Sequence, residues 1–312
     1  MNVLIAGGTG LIGRALIAEL HKDGHAVVVL SRNPHARAEK MPGVSLVAWD
    51  GKTPRGWAHL LEEMDAVVNL TGENIAGEHF FPRRWSRLRK QAIRSSRIDP
   101  ARAMVEAIRL AKKKPAVLVQ SSGISIYGPS RGEIITEDDA AGKDYFSRLA
   151  VDWENASLPV ETLGVRRVII RSAVVLSAVE GAVPRLMLPI RLYAGGPMGS
   201  GRQYLPWIHP ADEAAAISFL IRNRKAHGAY NLVAPHSVTN AQFGRTLAHL
   251  LKRPYWLPVP AFAMRLAFGE VSDVVLTGQR AVPARLQEAG FKFQFPELEP
   301  ALRDMLAQLP GN

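Results

Sequence analysis

Three glycines stand three residues apart near the start of the chain, at Gly7, Gly10 and Gly13. The apolar run 3–6 precedes them, and a segment suited to a helix, 14–20, follows. A strand that turns sharply into a helix, with no side chains at the turn, lets an anion approach the free N–H groups of the helix. This order predicts a site for the pyrophosphate of a dinucleotide. The predicted contacts are Gly7, Gly10, Leu11, Ile12 and Gly13.

The end of the second apolar run indicates which dinucleotide is bound. A site for NAD places Asp or Glu about 20 residues beyond the glycines, where the carboxylate binds the ribose 2′-hydroxyl. Here the run 26–30 is followed by Ser31 and Arg32, and no Asp or Glu occurs from residue 26 to residue 38. A guanidinium binds a phosphate through paired hydrogen bonds. Ser31 and Arg32 therefore predict NADP(H), the alternative for Arg32 being a surface loop charge.

Further candidate cofactor contacts follow the next runs. Asp50 ends the third run and is placed either to meet the adenine amino group or to serve as an ordinary loop carboxylate. Leu70, Thr71 and Gly72 end the fourth and are expected along the pyrophosphate and ribose. Arg97 lies two residues before Asp99-Pro100, which predicts a helix start. We expect Arg97 to contact a cofactor phosphate or a substrate anion.

Elements of two kinds must position these residues. Short, nearly continuous apolar runs alternate with helical segments, which is typical of parallel strands covered on both faces. The pattern predicts an α/β fold with a doubly wound parallel sheet and a smaller C-terminal lobe. We predict a dinucleotide-binding domain over residues 1–230, with a cleft-forming insertion at about 176–209. Residues 231–312 would form the C-terminal domain.

Composition narrows the function classes. The chain has 312 residues and 47% hydrophobic residues, enough for a full core, and no Cys, which removes disulfides and thiol chemistry. The nine His are not spaced like metal ligands, so no metal is expected. No leader or spanning segment is recognisable, and a cytoplasmic protein is expected.

The net charge of +11 is concentrated in one stretch. Residues 83–114 contain twelve Lys and Arg against two acids. A nucleic-acid surface is one interpretation. Because the only nearby aromatic is Trp85 and no nucleic-acid motif accompanies the charge, a solvated helix face with a few anion contacts is favoured.

The motifs at 7–13, 69–72, 121–128 and 207–212 resemble those of the extended short-chain dehydrogenase/reductase superfamily. The segments 72–77, 152–154, 195–203, 231–235 and 278–283 are similar to its atypical epimerase family branch. That branch is NAD(P)-dependent epimerase/dehydratase-like and carries its own C-terminal domain. The resemblance covers essentially the whole chain.

The resemblance implies a Tyr-x-x-x-Lys pair, in which Tyr transfers a proton and Lys lowers its pKa. The chain departs from it. The residues four places after its six tyrosines are Arg131, Leu149, Pro197, Ile208, Ala234 and Val259. A tyrosine with an ordinary pKa of about 10 is a poor base at neutral pH. The resemblance places Ser122, or else Gly123, and Tyr145 at the catalytic positions. It places Val175 at the nicotinamide end, and Trp207 and His209 at the rim of a substrate cleft. The alternatives are a core position for Trp207 and a helix cap near Pro210 for His209.

Two functions remain open. The first is an NADP(H)-dependent oxidoreductase or epimerase acting on a small polar substrate, nucleotide-linked or carbonyl, with Arg202 holding an anionic group. The second is a non-catalytic regulatory or scaffold protein that binds NADPH. The oligomeric state is also open, with a homodimer through the helices near 90–114 and 145–157 as one candidate.

Overall fold

A computed structural model describes residues 1–38, 41–75, 77, 84–129 and 132–309. Its centre is a seven-stranded sheet in which every neighbouring pair is parallel. The strands are β1 Asn2–Ala6, β2 Ala26–Ser31, β3 Ser45–Ala48, β4 Ala66–Asn69, β5 Val117–Gly123, β7 Arg166–Ser172 and β11 Gly228–Leu232. The predicted doubly wound sheet is confirmed.

Short strands pair outside this sheet. They are β6 Ile134–Ile135, β8 Val174–Val175, β9 Tyr204–Leu205, β10 Trp207–Ile208, β12 Val238–Thr239 and β13 Arg280–Ala281. The helices are α1 Leu11–Lys22, α2 His35–Ala38, α3 Arg87–Leu110, α4 Tyr145–Ala156, α5 Val183–Arg191, α6 Pro210–Arg222, α7 Asn240–Leu250, α8 Ala261–Phe268, α9 Asp273–Leu276, α10 Ala284–Glu288 and α11 Leu298–Ala307. Among the described residues, no helix combines the length and apolarity needed to cross a bilayer.

The strand order is β11-β7-β5-β4-β1-β2-β3. From β1 the chain winds outward to β2 and β3, and then returns to β4 on the other side. The order therefore reverses between β1 and β4, and the loops after these two strands diverge. In open parallel sheets this reversal opens a crevice at the carboxyl ends of the strands, where ligands bind.

Helices cover both faces of the sheet because its strands are apolar on both sides. On one face, α1 and α6 pack together over a core that includes Ile5, Leu16 and Ile217. On the other face, Met104 and Ile108 of α3 pack with Trp57 against the sheet. Helix α4 lies beside α3. The first turn of α4 lies at the carboxyl edge of the sheet, because the Ser147 hydroxyl donates to the carbonyl of Ser125, just beyond β5.

A second, smaller lobe is assembled from two separate stretches of chain. Its core joins α5 and β10 to α7 and α11. Strand β11 belongs to the central sheet, so the boundary predicted at residue 230 falls inside a strand. Strand β13 also returns to pair with β6, and Leu286 of α10 packs in the core of the first lobe. The C-terminal segment is thus interleaved with the dinucleotide-binding domain.

The expected helix start at Asp99-Pro100 is wrong. Helix α3 begins at Arg87, where the Ser86 hydroxyl caps it by accepting the Arg89 N–H at 3.1 Å. It continues through Pro100, because the lost hydrogen bond is outweighed by a buried face that includes Ile93 and Met104.

Four cations of the basic stretch form ion pairs within the protein. Arg89 pairs with Glu73, Lys90 with Glu270, Arg94 with Asp152 and Arg109 with Glu106. Arg83 lies outside the described residues. These pairings favour the interpretation of the stretch as helix surface and internal contacts.

Candidate functional site

The glycine loop lies at the reversal point of the sheet. Gly7 has φ +80°, and a Cβ there would lie 2.7 Å from the Leu70 carbonyl oxygen. A Cβ at Gly13 would lie 2.5 Å from the Cα of Gly8. These two glycines are thus required by the protein's own backbone, the first by its conformation and by β4, the second by the contact between helix and turn.

Gly10 has a different reason to be glycine. It is exposed, and the nearest atom to a Cβ there is the Gly7 carbonyl oxygen, at an ordinary 3.4 Å. It precedes α1 and offers no side-chain cap, and the first turn carries no acidic residue. The N–H groups at the start of α1 therefore face the crevice with positive partial charge. A backbone free of side chains at this point fits a pyrophosphate.

Arg32 stands at the carboxyl end of β2, next to this loop. It is exposed, and a Cβ on Gly51 would lie 3.9 Å from the Arg32 Cδ. Ser31 is buried, and its hydroxyl accepts the Asn33 N–H at 3.2 Å. Among the described residues Arg32 has no ion-pair partner, so its guanidinium is available to a phosphate. This is the arrangement expected for reading a 2′-phosphate.

Asp50 stabilises its own turn. Its carboxylate accepts the backbone N–H groups of Lys52 and Thr53, both at 2.8 Å, and the Thr53 hydroxyl at 2.7 Å. These bonds, that of the Thr53 backbone first, lower the pKa of Asp50. It remains exposed at the end of β3. Its contact with adenine stays a prediction.

The loop after β4 brings Gly72 against Arg97. Leu70 and Thr71 are half-buried at the base of this loop. A Cβ on Gly72 would lie 3.5 Å from the Arg97 Cζ. The Arg97 guanidinium donates to the carbonyls of Ile93 at 3.0 Å and Glu73 at 3.1 Å. Burial lowers the pKa of Arg97 to about 10, which still leaves it cationic at neutral pH.

The predicted catalytic serine is committed to an internal network. The Ser122 hydroxyl donates to Glu154 at 2.7 Å, and Glu154 binds Arg171 through both oxygens, at 2.9 and 3.0 Å. Arg171 also donates to the Tyr127 hydroxyl at 2.8 Å, and Tyr127 donates to Asn231 at 2.7 Å. Ser122 is buried, so the expectation that it acts on a ligand is not supported. The alternative position, Gly123, carries no hydroxyl.

Electrostatics explain why this network is stable. Burial disfavours the charge of Arg171, but the hydrogen bonds and charge of Glu154 outweigh it and raise the Arg171 pKa. Burial raises the pKa of Tyr127, which stays neutral and donates. Arg131, four residues beyond Tyr127, lies outside the described residues. The network ties β5, β7, β11 and α4 together beneath the crevice.

Tyr145 is the first residue of α4 and is half-buried between helices. Its ring lies 4.8 Å from the Lys90 Nζ, measured to the ring centroid, and 6.0 Å from the ring of Trp85. Its hydroxyl lies 3.4 Å from the Lys90 carbonyl oxygen. Burial raises its pKa, against the opposing charges of Lys90 and Arg97. Leu149 is buried, so α4 offers no cation at the expected lysine position.

Trp207 and His209 occupy the alternative positions that the sequence left open, in the core and at a helix cap. Trp207 is 1% exposed in the core of the second lobe. His209 caps α6 by accepting the Ala211 N–H at 3.2 Å, and its Nε2 lies 3.1 Å from Asp304 of α11. Burial lowers the His209 pKa. Because each packs inside the fold, neither presents surface at a cleft rim.

Two other predicted contacts lie nearer solvent. Arg202 is exposed beside Gly201, a turn residue with φ +67°, and its anion-binding role stays a prediction. Val175 is half-buried in β8, which pairs with β10, and its nicotinamide contact is likewise a prediction.

The sequence reasoning missed several polar groups near the crevice. Glu154 and Lys90 were not singled out, although Lys90, Arg94 and Arg97 are spaced i, i+4, i+7, which places them on one helix face. Glu213 was missed as well. It is fully buried, accepts the Ser172 hydroxyl at 2.5 Å and has one oxygen without a hydrogen bond. Burial raises its pKa to about 8.

Comparison with known proteins adds the family. The model described as the NAD dependent epimerase/dehydratase family matches residues 3–233, which include the whole crevice edge. The chain belongs to this family. A domain of unknown function, DUF1731, matches residues 259–305, the segment from α8 into α11. The resemblance inferred from the motifs is confirmed.

Relatives of this epimerase family chain match it end to end. The epimerase family protein YfhF of Bacillus subtilis is 39% identical over 310 residues, covering 98% of both proteins. A crystal structure of the human epimerase family protein SDR39U1 (isoform 2) with NADPH has a TM-score of 0.86 at 36% identity. It covers 99% of this chain and is itself covered completely, at 100%.

A more distant structure shares the fold. The UDP-N-acetylglucosamine 4-epimerase from Bacillus cereus has a TM-score of 0.78 at 14% identity, with 100% of this chain and 97% of that chain covered. Both lobes thus have counterparts in an epimerase of very different sequence.

Proposed function

We propose that the protein binds NADPH at the carboxyl edge of the sheet and uses it for a redox step on a small polar carbonyl substrate. The observation that carries the proposal is that Gly10 and Arg32 lie at the same edge of the sheet, each open to a ligand phosphate. Gly10 leaves the backbone open at the helix start, and Arg32 leaves a guanidinium available at the end of β2. That the human relative was crystallised with NADPH supports the same cofactor.

The residues at the edge fit each part of the dinucleotide. The pyrophosphate lies against the N–H groups at the start of α1, and Ser31 and Arg32 hold the 2′-phosphate. Leu70, Thr71 and Gly72 follow the pyrophosphate towards the ribose. When bound, the nicotinamide exchanges a hydride with the substrate carbon.

Tyr145 is the protein group suited to move the proton. Burial raises its pKa above the ordinary 10, so the phenol is protonated at neutral pH. A protonated phenol donates to the oxygen of a carbonyl as that oxygen gains charge. Taking a proton from an alcohol would require the phenolate. The site is therefore suited to reduction more than to the oxidation that opens an epimerisation.

The cofactor choice is tested by titrating NADPH and NADH into Arg32→Asp and the wild type. A charge-assisted phosphate contact contributes about 1.5 to 3 kcal/mol, so we expect NADPH to bind at least about tenfold more weakly to the variant. NADH binding should change little or improve. Arg109→Asp, on the exposed surface of α3, is the matched control. Equal losses for both dinucleotides would overturn the proposed role of Arg32.

A second function is favoured by specific observations. Leu149 occupies the lysine position, and the Ser122 hydroxyl is taken by Glu154. Both are compatible with a protein that binds NADPH without turnover and acts as a sensor or scaffold. The two functions separate in one assay, in which NADPH absorbance is followed with panels of carbonyl compounds and sugar nucleotides. Tight NADPH binding without substrate-dependent oxidation across the panel would favour the sensor.

A further inference from the structure

Helix α3 presents a row of cations to the start of α4. Lys90, Arg94 and Arg97 occupy one face of α3, and each contacts α4. The Lys90 Nζ lies 4.8 Å from the Tyr145 ring centroid, and the Arg97 Cζ lies 5.0 Å from the Trp153 ring centroid. Between them, Arg94 pairs with Asp152 at 2.8 Å. The two helices are joined by cations at successive turns.

These three cations are neutralised to different extents. Arg94 pairs with Asp152, and both side chains are about half exposed. Lys90 pairs with Glu270 of the 3-10 helix Gly269–Ser272, but that carboxylate is 63% exposed. Arg97 is buried and donates to backbone carbonyls and the Ser96 hydroxyl. In the part of the chain that the structure describes, Arg97 forms no ion pair, and the nearby charge of Glu73, which pairs with Arg89, favours its cationic form.

Helix α4 cannot supply this charge itself. Leu149 is buried in the core, and Arg148 is exposed and donates to the carbonyl of Lys143. Tyr145 is the only tyrosine among the described residues of α4. The cations that face it all come from the neighbouring helix.

We propose that α3, not α4, provides the cationic partner of the proton-transfer site, with Lys90 and Arg97 stabilising the phenolate of Tyr145. The inference rests on the proposed function. As a hydride from NADPH adds to the substrate carbonyl carbon, the Tyr145 O–H bond breaks and its proton passes to the carbonyl oxygen. Lys90 and Arg97 stabilise the negative charge left on Tyr145 until solvent returns the proton. The products are the alcohol and NADP⁺.

The Lys90–Glu270 pair connects this charge to the C-terminal segment of the chain. Four charged groups face Tyr145: Lys90, Arg94 and Arg97 from α3, and Glu270 from the 3-10 helix Gly269–Ser272. The charge of Glu270 raises the pKa of Tyr145, whereas the charges of the three cations lower it. Removing the charge of Lys90 should therefore raise the pKa of Tyr145, and removing the charge of Glu270 should lower it. The opposite directions of these two shifts test the inference.

The experiment follows Tyr145 directly. The protein is produced with difluorotyrosine in place of its six tyrosines. This analogue ionises near neutrality, so lysines keep their charge during the titration. Fluorine NMR resolves the separate rings, and the Tyr145 signal is assigned by its loss in Tyr145→Phe. The variants are Lys90→Met, Lys90→Arg, Arg97→Gln, Glu270→Gln and the control Arg109→Gln.

We expect Lys90→Met to raise the midpoint of the Tyr145 titration by about 1 to 3 pH units, the effect of an opposite charge within about 4–6 Å. Arg97→Gln should raise it as well. Glu270→Gln should lower it, while Lys90→Arg and Arg109→Gln leave it near the wild-type value. Because Glu270 is exposed, its variant keeps the fold even if a buried substitution fails. Coincident midpoints for the wild type, Lys90→Met and Glu270→Gln would overturn the inference.

The same samples are titrated with NADPH, so that the two proposals can fail separately. If the protein binds NADPH but the Tyr145 midpoint is the same in the wild type and the variants, only the role of α3 is refuted. Absence of NADPH binding to the wild type, with Tyr145 responding as expected, refutes the proposed function and leaves the charge arrangement standing.

Discussion

At the scale of single residues, the glycine loop separates two requirements that look alike in the sequence. Gly13 is glycine because a Cβ there would collide with Gly8. Gly10 has no such collision, and its lack of a side chain matters to what approaches from the crevice. The spacing of the motif is the same for both, so only the surrounding atoms distinguish a folding requirement from a binding requirement.

This difference predicts opposite outcomes for two substitutions. Gly10→Ala should change the free energy of unfolding by no more than about 0.5 kcal/mol from the wild-type value, as expected for a surface substitution. It should weaken NADPH binding. Gly13→Ala should destabilise the fold by about 1–3 kcal/mol, because the close contact forces the helix away from the turn. Calorimetry of unfolding and NADPH titration measure both effects. Equal stability losses in the two variants would contradict the distinction.

At the scale of elements, α4 is held in place by an ion pair with β7. Glu154 and Arg171 are only 13% and 12% exposed, and the pair also takes the hydroxyl groups of Ser122 and Tyr127. A buried charge that loses its partner is costly, whereas a pair open to water contributes little. The pair anchors the C-terminal half of α4, the helix that begins at Tyr145.

Glu154→Ala should therefore lower the free energy of unfolding by about 3–5 kcal/mol, since Arg171 would be left buried and unpaired. Glu161→Ala is the matched control, because it removes the partner of Arg167, which lies on the same strand as Arg171. Glu161 is 47% exposed, and Arg167 keeps its bonds to the Glu154 carbonyl and the Ser157 hydroxyl, so the expected cost is about 0–1 kcal/mol. Denaturant unfolding of both variants makes the comparison. Similar losses would show that burial does not set the strength of these pairs.

The helices and strands also show which features local sequence patterns predict and which they do not. The apolar runs predicted the main strands correctly, because a strand buried on both faces must be apolar along its length. The start of α3 was predicted wrongly, because Asp-Pro is a local signal and the buried face of the helix overrides it. The spacing of the cations on α3 can be read from the sequence, but the sequence does not show which helix they contact.

At the scale of the whole molecule, buried polar groups link the two lobes. Asp212 of α6 accepts the backbone N–H groups of Gln294 at 2.7 Å and Phe295 at 2.9 Å, and His209 meets Asp304. The next residue, Glu213, is buried with one oxygen unbonded. Because burial raises its pKa to about 8, it is protonated in the folded protein at neutral pH.

Glu213 should make global stability depend on pH. In the unfolded chain its carboxyl ionises near 4.5, whereas in the folded protein it stays protonated until about pH 8. Unfolding then releases a proton, so this contribution to stability falls as pH rises between these values. Comparing urea midpoints of the wild type and Glu213→Gln across that range isolates the effect. We expect a downward slope in the wild type relative to the variant, and parallel curves would refute it.

The sequence by itself determined the sheet, the glycine loop, the absence of an acid after β2 and the membership of an epimerase-like family. These follow from local rules, since periodicity and turn chemistry act between residues close in the chain. Only the tertiary structure decided that Ser122, Trp207 and His209 are internal, and that the cations facing Tyr145 come from another helix. Burial and charge pairing depend on residues far apart in sequence, and such distances are set when the sheet and its two lobes pack.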